Sequence, residues 1–153
     1  MERKYGKKPE VLGKFDIKCD EMMFYMYLPI KMKDSLWIKV PPRLKLFQPL
    51  IDTMLNHEMG YIENKYIYLT VKNIYVTSDN IGNRPGYHSD GFQTDDLNYI
   101  WCDKYPTVFS VQNFNISEDC DSSMKEMAAQ ARVENEIIFP EKTLTKLDQY
   151  VFK

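Results

Sequence analysis

The chain has 153 residues, 44% of them hydrophobic and 27% charged, and these proportions are ordinary for a soluble globular protein. The formal net charge of −2 argues against a duplex DNA binder, because such proteins neutralise phosphates with an excess of Lys and Arg. No apolar run approaches the roughly 20 residues that span a bilayer, and the basic N-terminus leads into no signal-peptide apolar segment, so we expect a cytoplasmic protein without a membrane partner.

The first dozen residues are polar and basic and predict an arm or an edge strand. Residues 22–28 are bulky and apolar and predict a buried strand that ends at a proline. Residues 36–40 predict a second strand, which ends at a Pro-Pro pair. From residue 43 to about 57 the apolar residues recur at helical spacing, with Pro49 near the first turn and Gly60 as a stop signal.

The remainder of the chain has the β-branched and aromatic composition of strands, separated by turn formers. The predicted strands are 66–71, 74–76, 97–101, 107–111 with a continuation towards 116, 136–139 and 143–152. Acidic residues at 117–119 predict the start of a second helix, because the helix dipole favours them in the first turn. We therefore expect a single domain over residues 1–153, mainly β (α+β) with two supporting helices.

The most informative segment is a loop over residues 79–86 followed by Tyr-His-Ser-Asp-Gly-Phe, where a new strand is predicted to begin at His88. His88 and Asp90 have the spacing with which a His-x-Asp pair supplies two of the three protein ligands of a catalytic iron. That chemistry needs a second histidine, normally on a later strand. The only other histidine, His57, lies upstream.

A strand, a loop and His88-x-Asp90-Gly91 in a chain of short strands together resemble the cupin-type double-stranded β-helix, or jelly roll. More narrowly, the motif resembles the iron(II)/2-oxoglutarate dioxygenase superfamily. The resemblance covers residues 66–153, with residues 1–65 as the helix-bearing N-terminal support. It implies an antiparallel jelly roll, and Fe(II) and 2-oxoglutarate as the cofactors of the family. The chain departs from the family because its last predicted strand contains no distal histidine.

Other residues near the motif suit ligand contacts, and each also has a structural interpretation. Arg84 offers a planar bidentate donor that suits a carboxylate or phosphate, or else forms a surface salt bridge. The neighbouring aromatic residues stack on a flat ring such as a nucleobase, or else form the core of a small β domain. The predicted ligand-binding residues are Arg84, Tyr87, His88, Asp90, Phe92, Tyr99 and Trp101, with His88 and Asp90 as the metal candidates.

Two further sets of residues bear on a metal site. His57, at the end of the predicted helix, is either a partner of the helix dipole or the missing third ligand. Cys19, Cys102 and Cys120 are widely spaced and contain no C-x-x-C pair, which fits free thiols in a reducing compartment. Cys102 is nearest to the motif and is therefore the cysteine with an alternative interpretation as a metal ligand.

The abundance of Lys, Ile, Asn and Tyr is typical of AT-rich coding, as in many large bacterial viruses. We predict a non-catalytic jelly roll that binds a small anionic molecule or nucleotide and needs no cofactor. Its role would be that of a viral counter-defence protein that sequesters a nucleotide-type signal in the host cytoplasm. The oligomeric state stays open, although jelly rolls with aromatic edge strands often pair into homo-oligomers.

Two alternatives remain at the level of sequence. The first is an iron(II)/2-oxoglutarate-dependent oxygenase whose third metal position is filled by His57, an acidic side chain, water or a partner subunit. The second is a structural or interaction module whose barrel is simply packed.

Overall fold

The computed structural model describes residues 4–59, 62–147 and 151–152. Within these ranges the chain is mainly β, with antiparallel sheets and two α-helices. The strands are β1 (Glu10–Lys14), β2 (Met23–Lys31), β3 (Ile67–Asn73), β4 (Asn98–Trp101), β5 (Val108–Ser110), β6 (Glu136–Ile138), β7 (Thr143–Leu147) and β8 (Val151–Phe152). The helices are α1 (Gln48–His57), α2 (Cys120–Gln130) and two 3-10 helices, Pro42–Phe47 and Val133–Asn135.

The chain forms two compact units. The terminal unit comprises Met1–Asp16 and Arg84–Lys153, and the inserted unit comprises Ile17–Asn83. The sequence places the strand now identified as β3 with the C-terminal strands. In the structure it pairs instead with β2, inside the inserted unit.

The terminal unit contains two three-stranded antiparallel sheets, with strand orders β1-β7-β4 and β6-β5-β8. Phe109 of β5 and Leu147 of β7 are buried in one cluster, so the two sheets share a core. Three half-buried apolar residues pack against this pair: Ile100, Ile137 and Phe139. Full burial of a side chain such as Phe109 or Leu147 contributes about 1.5–3 kcal/mol, so this cluster stabilises the packing of the two sheets.

A second cluster joins α2 to the N-terminal segment, since Met127 of α2 is fully buried against Tyr5. The helix begins where the acidic residues predict: Asp119 is the N-cap, and its Oδ2 accepts a hydrogen bond from the Ser122 N–H at 2.8 Å. Hydrogen bonds from the Ser122 side chain and from its N–H lower the pKa of Asp119, because they favour the charged carboxylate.

The inserted unit contains the antiparallel pair β2–β3 and the helical segment that begins at Pro42. The predicted helix over residues 43–57 is confirmed, first as a 3-10 helix and then as α1, with Pro49 in the first turn of α1. Proline is tolerated there because the first N–H groups of a helix have no intrahelical acceptor. Gly60, the predicted stop, lies outside the described residues.

The strand predicted to end at residue 28 continues as β2 through Pro29 to Lys31. Pro29 pairs with Tyr68 of β3. A two-stranded sheet leaves half of its N–H groups pointing away from the partner strand, so a proline is tolerated at an outward position.

The predicted strand over residues 36–40 is wrong. The segment is irregular, and the Trp37 N–H donates to the Ser35 hydroxyl at 3.0 Å. Such a local side-chain bond competes with the hydrogen bonds of a β-ladder. As a result Leu36 and Trp37 are 80% and 78% exposed instead of buried in a strand.

The predicted strand over residues 74–76 is also wrong, because β3 ends at Asn73. The Asn73 side-chain Nδ2 donates to the Cys19 carbonyl at 3.0 Å, and this bond marks the end of the ladder. The strand predicted from residue 107 ends with β5 and does not continue towards 116. The last predicted strand corresponds to β7 and β8, and residues 148–150 between them lie outside the described residues.

One buried lysine connects β2 to the segment before β3. Lys31 is only 2% exposed, and its ammonium donates to the carbonyl oxygens of Met32, Glu63 and Lys65 at 3.2, 3.0 and 2.9 Å. Three acceptors match the three donors of an ammonium group, so the cost of burying the charge is offset by charge-assisted hydrogen bonds.

We expect Lys31→Met to lower the free energy of unfolding by roughly 2–4 kcal/mol, because it removes three charge-assisted hydrogen bonds that connect β2 to the segment before β3. Lys33→Met, at an exposed position two residues away, is the matched control and should change it by less than about 0.5 kcal/mol. Chemical denaturation followed by circular dichroism measures both values. Equal stability of the two variants would contradict this role of Lys31.

Candidate functional site

The loop that contains the His-x-Asp pair changes direction at two glycines. Gly86 and Gly91 have φ values of +86° and +66°, in the left-handed region that side chains disfavour. The Gly91 carbonyl accepts hydrogen bonds from the Thr94 N–H at 2.9 Å and from the Thr94 hydroxyl at 2.8 Å. The strand predicted to begin at His88 is therefore wrong: His88 makes an isolated β-bridge and the chain then turns.

The imidazole of His88 is oriented by this loop. Its Nδ1 lies 2.9 Å from the Gly86 carbonyl oxygen, which only accepts, so Nδ1 carries the proton of this bond. Nε2 is then an acceptor in the neutral ring, and it lies 3.7 Å from Asp90 Oδ1. The His88 side chain is 13% exposed and that of Asp90 is 49% exposed, so solvent reaches the pair from the Asp90 side.

Two acceptors that face each other in this way suit a shared proton or a cation. Two ligand bonds of about 2.1 Å span up to about 4.2 Å, so the separation of His88 Nε2 and Asp90 Oδ1 lies within the reach of one metal ion. A hydrogen bond from the other ring nitrogen to a backbone carbonyl is also common in metal-ligating histidines. The geometry of the pair is therefore compatible with a weak cation site.

The residues present do not fit a complete iron(II) triad. Within residues 4–59, 62–147 and 151–152, no group of three or more His, Cys, Asp and Glu side chains is placed to hold one metal ion. His57, the other histidine, is the last residue of α1 in the inserted unit. The structure brings His88 Nε2 and Asp90 Oδ1 to within 3.7 Å of each other, and the metal half-site there stays a prediction.

Arg84 lies at the start of the same loop, with an exposed side chain. Its Nη2 contacts the sulfur of Met124 in α2, which is a weak acceptor. No carboxylate among the described residues forms a salt bridge with Arg84. Its guanidinium group therefore retains donors for a carboxylate or phosphate ligand.

Tyr87 and Phe92 point into the second core cluster, with Tyr5 and Met127. The Phe92 and Tyr5 rings have centroids 5.3 Å apart and a tilt of 34°. The Tyr87 hydroxyl donates to Glu136 Oε1 at 2.5 Å, and this bond raises the pKa of Tyr87 to about 12. Both aromatic residues have packing roles that fix the loop to α2 and β6.

Tyr99 and Trp101 lie on one face of β4, and Ile100 between them points into the Phe109 cluster on the other face. The Trp101 indole Nε1 donates to the carbonyl oxygens of Phe15 at 3.2 Å and Lys142 at 3.0 Å. Trp101 therefore connects the end of β4 to the residue after β1 and to the residue before β7. The structure does not place it with the His-x-Asp pair in any described contact.

The core between the two three-stranded sheets is nearly filled. A cavity of about 10 Å³ lies there, lined among others by Ile100, Phe109 and Thr145, and this volume holds at most about one water molecule. Cys102 also lines it, and burial raises the pKa of its thiol. A thiol with a raised pKa is a poor nucleophile and a poor metal ligand at neutral pH, which weakens the alternative interpretation of Cys102.

Three side chains that contact the loop have no sequence signal that predicts this contact: Tyr5, Met124 and Glu136. Met124 shares helical spacing with Met127, a signal that predicts a buried stripe but not a contact with arginine. Tyr5 lies in a segment that reads as a polar arm, and Glu136 carries no sequence signal of its own. Their proximity to the loop depends on the packing of α2, β6 and the N-terminus.

Comparisons with protein-family models, with curated proteins and with solved structures find no match for this chain. In the part of the chain that the structure describes, no helix is long and apolar enough to cross a membrane.

The Tyr87–Glu136 hydrogen bond predicts a dependence of stability on alkaline pH. Because the folded-state pKa of Tyr87 is raised to about 12 from an ordinary value of 10, the stabilisation is complete below pH 10 and is lost between pH 10 and 12. Tyr87→Phe should lower the free energy of unfolding by about 1 kcal/mol at pH 7. The difference between Tyr87→Phe and wild type should shrink as the pH rises through that window.

Urea denaturation at a series of pH values from 7 to 11.5 measures this difference. Tyr105→Phe, at a position that is 73% exposed, is the matched control and should match wild type at pH 7. A difference between Tyr87→Phe and wild type that stays constant up to pH 11.5 would contradict the assignment.

Proposed function

We propose that this protein binds a compact anionic ligand at the loop over residues 84–92 and releases it unchanged. The observation that carries the proposal is the exposed guanidinium of Arg84, whose contact among the described residues is a thioether. A thioether is a weak acceptor, so a phosphate or carboxylate would replace it with bidentate, charge-assisted hydrogen bonds.

The same loop offers groups for the rest of a small ligand. His88 is held by the Gly86 carbonyl with its second nitrogen towards solvent-accessible Asp90. The Asp90 carboxylate accepts from hydroxyl groups such as those of a ribose. A phosphate bearing a sugar is thus a better match than a flat apolar ring, since Tyr87 and Phe92 are packed in the core.

We propose the jelly roll as the architecture of the terminal unit. The two antiparallel three-stranded sheets around Phe109 and Leu147 support it. The small cavity of about 10 Å³ between the sheets supports binding at the loops and not between the sheets.

The biological role that we propose is sequestration of a nucleotide-type signal by a viral protein. The AT-rich residue usage and a loop that suits an anion support this role. This role requires stoichiometric binding and recovery of an unchanged ligand. A hydrolysed or oxidised product would contradict it.

The role of Arg84 is tested by isothermal titration calorimetry with adenosine monophosphate and with inorganic pyrophosphate. We expect Arg84→Gln to weaken binding by at least about tenfold, the equivalent of one charge-assisted hydrogen bond, and Arg84→Lys to weaken it less. Arg132→Gln, an exposed arginine of the same unit, is the matched control and should bind as wild type does.

Chromatography of the ligand recovered after incubation accompanies the titration. Failure of the wild-type protein to bind either probe would exclude a phosphate-bearing ligand of this class. Equal affinities of Arg84→Gln and wild type for the probe would show that the ligand binds outside the 84–92 loop.

A second candidate function is divalent-cation binding, as in the iron(II)/2-oxoglutarate-dependent oxygenase alternative, and the 3.7 Å approach of His88 Nε2 to Asp90 Oδ1 favours it. Two protein ligands would leave most positions of an octahedral ion to water, so we expect weak binding. Electron paramagnetic resonance with Mn(II) measures it. His88→Ala and Asp90→Asn should abolish bound Mn(II), whereas Asp96→Asn in the same loop region should retain it. Unchanged Mn(II) binding by His88→Ala would exclude this candidate.

A further inference from the structure

The two-stranded sheet of the inserted unit exposes a set of large apolar side chains. We call this set the aromatic face, and its members are between 48% and 69% exposed: Phe24, Met26, Tyr27, Tyr66 and Tyr68. Single exposed apolar residues are normal on a protein surface, but contiguous groups mark interaction sites.

The register of the strands places these residues on one side. Phe24 is opposite Lys72 and Pro29 is opposite Tyr68, and all four are exposed. The buried residues Met23 and Val71 of the same strands belong to the other side. Tyr66 is two residues before Tyr68 and its ring stacks on that of Tyr68, with centroids 6.0 Å apart. The exposed aromatic residues therefore form one surface.

A β-bulge adds a side chain to this surface at a cost in backbone energy. Between the pairs Tyr25–Val71 and Leu28–Leu69, the two residues Met26 and Tyr27 face the single residue Thr70. Tyr27 has φ of +50°, a backbone conformation that residues with a side chain rarely adopt, and its N–H donates to the Thr70 hydroxyl at 3.0 Å. Backbone strain that brings a tyrosine to the surface is typical of binding sites.

The nearly neutral charge of the inserted unit favours a second copy of the chain over a nucleic acid as the partner of the aromatic face. The inserted unit contains eight Lys and Arg against seven Asp and Glu, so its net charge is close to zero. The Lys72 ammonium lies 5.4 Å from the centroid of the Phe24 ring, in a cation–π contact. A single-strand binder needs a positively charged groove, whereas a two-fold interface brings each surface against itself and tolerates a nearly neutral one.

The area of the aromatic face also matches what a dimer needs. A half-exposed aromatic side chain offers roughly 100 Å² for burial, so four of them with Met26 and the neighbouring proline and lysine stem reach about 600 Å². A standard protein interface buries about 800 Å² on each partner. The aromatic face is therefore most of one side of such an interface.

We propose that the aromatic face is covered by the same face of a second copy of the chain, in a two-fold symmetric dimer. The proposal is independent of the anion site, because every residue that carries it belongs to the inserted unit. Tyr68 and Phe24 are the expected anchors, since aromatic residues at the centre of an interface contribute most of its binding energy.

Sedimentation equilibrium of the full chain between 1 and 100 µM tests the proposal. We expect a dimer that dissociates in the low micromolar range or below, and Tyr68→Asp should weaken it by at least tenfold because two buried carboxylates meet across the axis. Tyr105→Asp, at an exposed tyrosine of the terminal unit, should leave the dimer unchanged.

A second variant keeps the test independent of any effect of Tyr68→Asp on folding. Lys72→Cys should form a disulfide-linked dimer on mild oxidation, at a rate well above that of Lys104→Cys, an exposed lysine of the terminal unit. A wild-type chain that is monomeric at 100 µM, or a dimer that Tyr68→Asp leaves intact, would overturn the proposal. A monomer whose tyrosine fluorescence is quenched by a (dT)20 oligonucleotide would assign the face to a single strand instead.

Discussion

The backbone of Lys142 holds the terminal unit together. Its N–H donates to the Cys102 carbonyl at 2.7 Å, and its carbonyl accepts from the Phe15 N–H at 2.9 Å and from the Trp101 indole. Lys142 has a φ of +67°, and this conformation orients its N–H and its carbonyl towards these partners. A left-handed conformation raises the conformational free energy of a residue with a side chain by about 1 kcal/mol. The side chain adds an ion pair with Asp16, which lowers the pKa of Asp16 and raises that of Lys142. The turn before β7 thus joins the ends of β1 and β4.

This constraint determines where chemistry is available in the terminal unit. With β7 held between β1 and β4, Leu147 is directed onto Phe109 and the core between the sheets is filled. A filled core leaves no room for a ligand of the size that a jelly roll encloses. Arg84 and Asp90 of the 84–92 loop are exposed polar side chains of this unit, and both are accessible to a ligand.

Local signals in the sequence were sufficient where a single segment determines its own structure. The acidic start of α2 at Asp119, the helical spacing of α1 and the mainly β composition all predict what the structure contains. The prediction failed where distant contacts decide. The strand expected at residues 36–40 has suitable side chains, but it makes one hydrogen bond to β2, from the Lys39 N–H to the Ile30 carbonyl, and no ladder is assigned there. The strand expected at His88 gives way to a turn with glycines of positive φ.

The same limit applies to the candidate site, because the composition of an aromatic segment does not tell core from surface. Tyr87 and Phe92 flank the motif and look like stacking residues, yet they are packed against Tyr5. Tyr66 and Tyr68 read as an ordinary strand, yet they are about half exposed. What separates the two pairs is whether a helix covers their face: α2 covers the first, while the second lies on a sheet face that the described residues leave open to solvent. An aromatic face of that kind is stable in water only at a cost in free energy, which association with a second copy would recover.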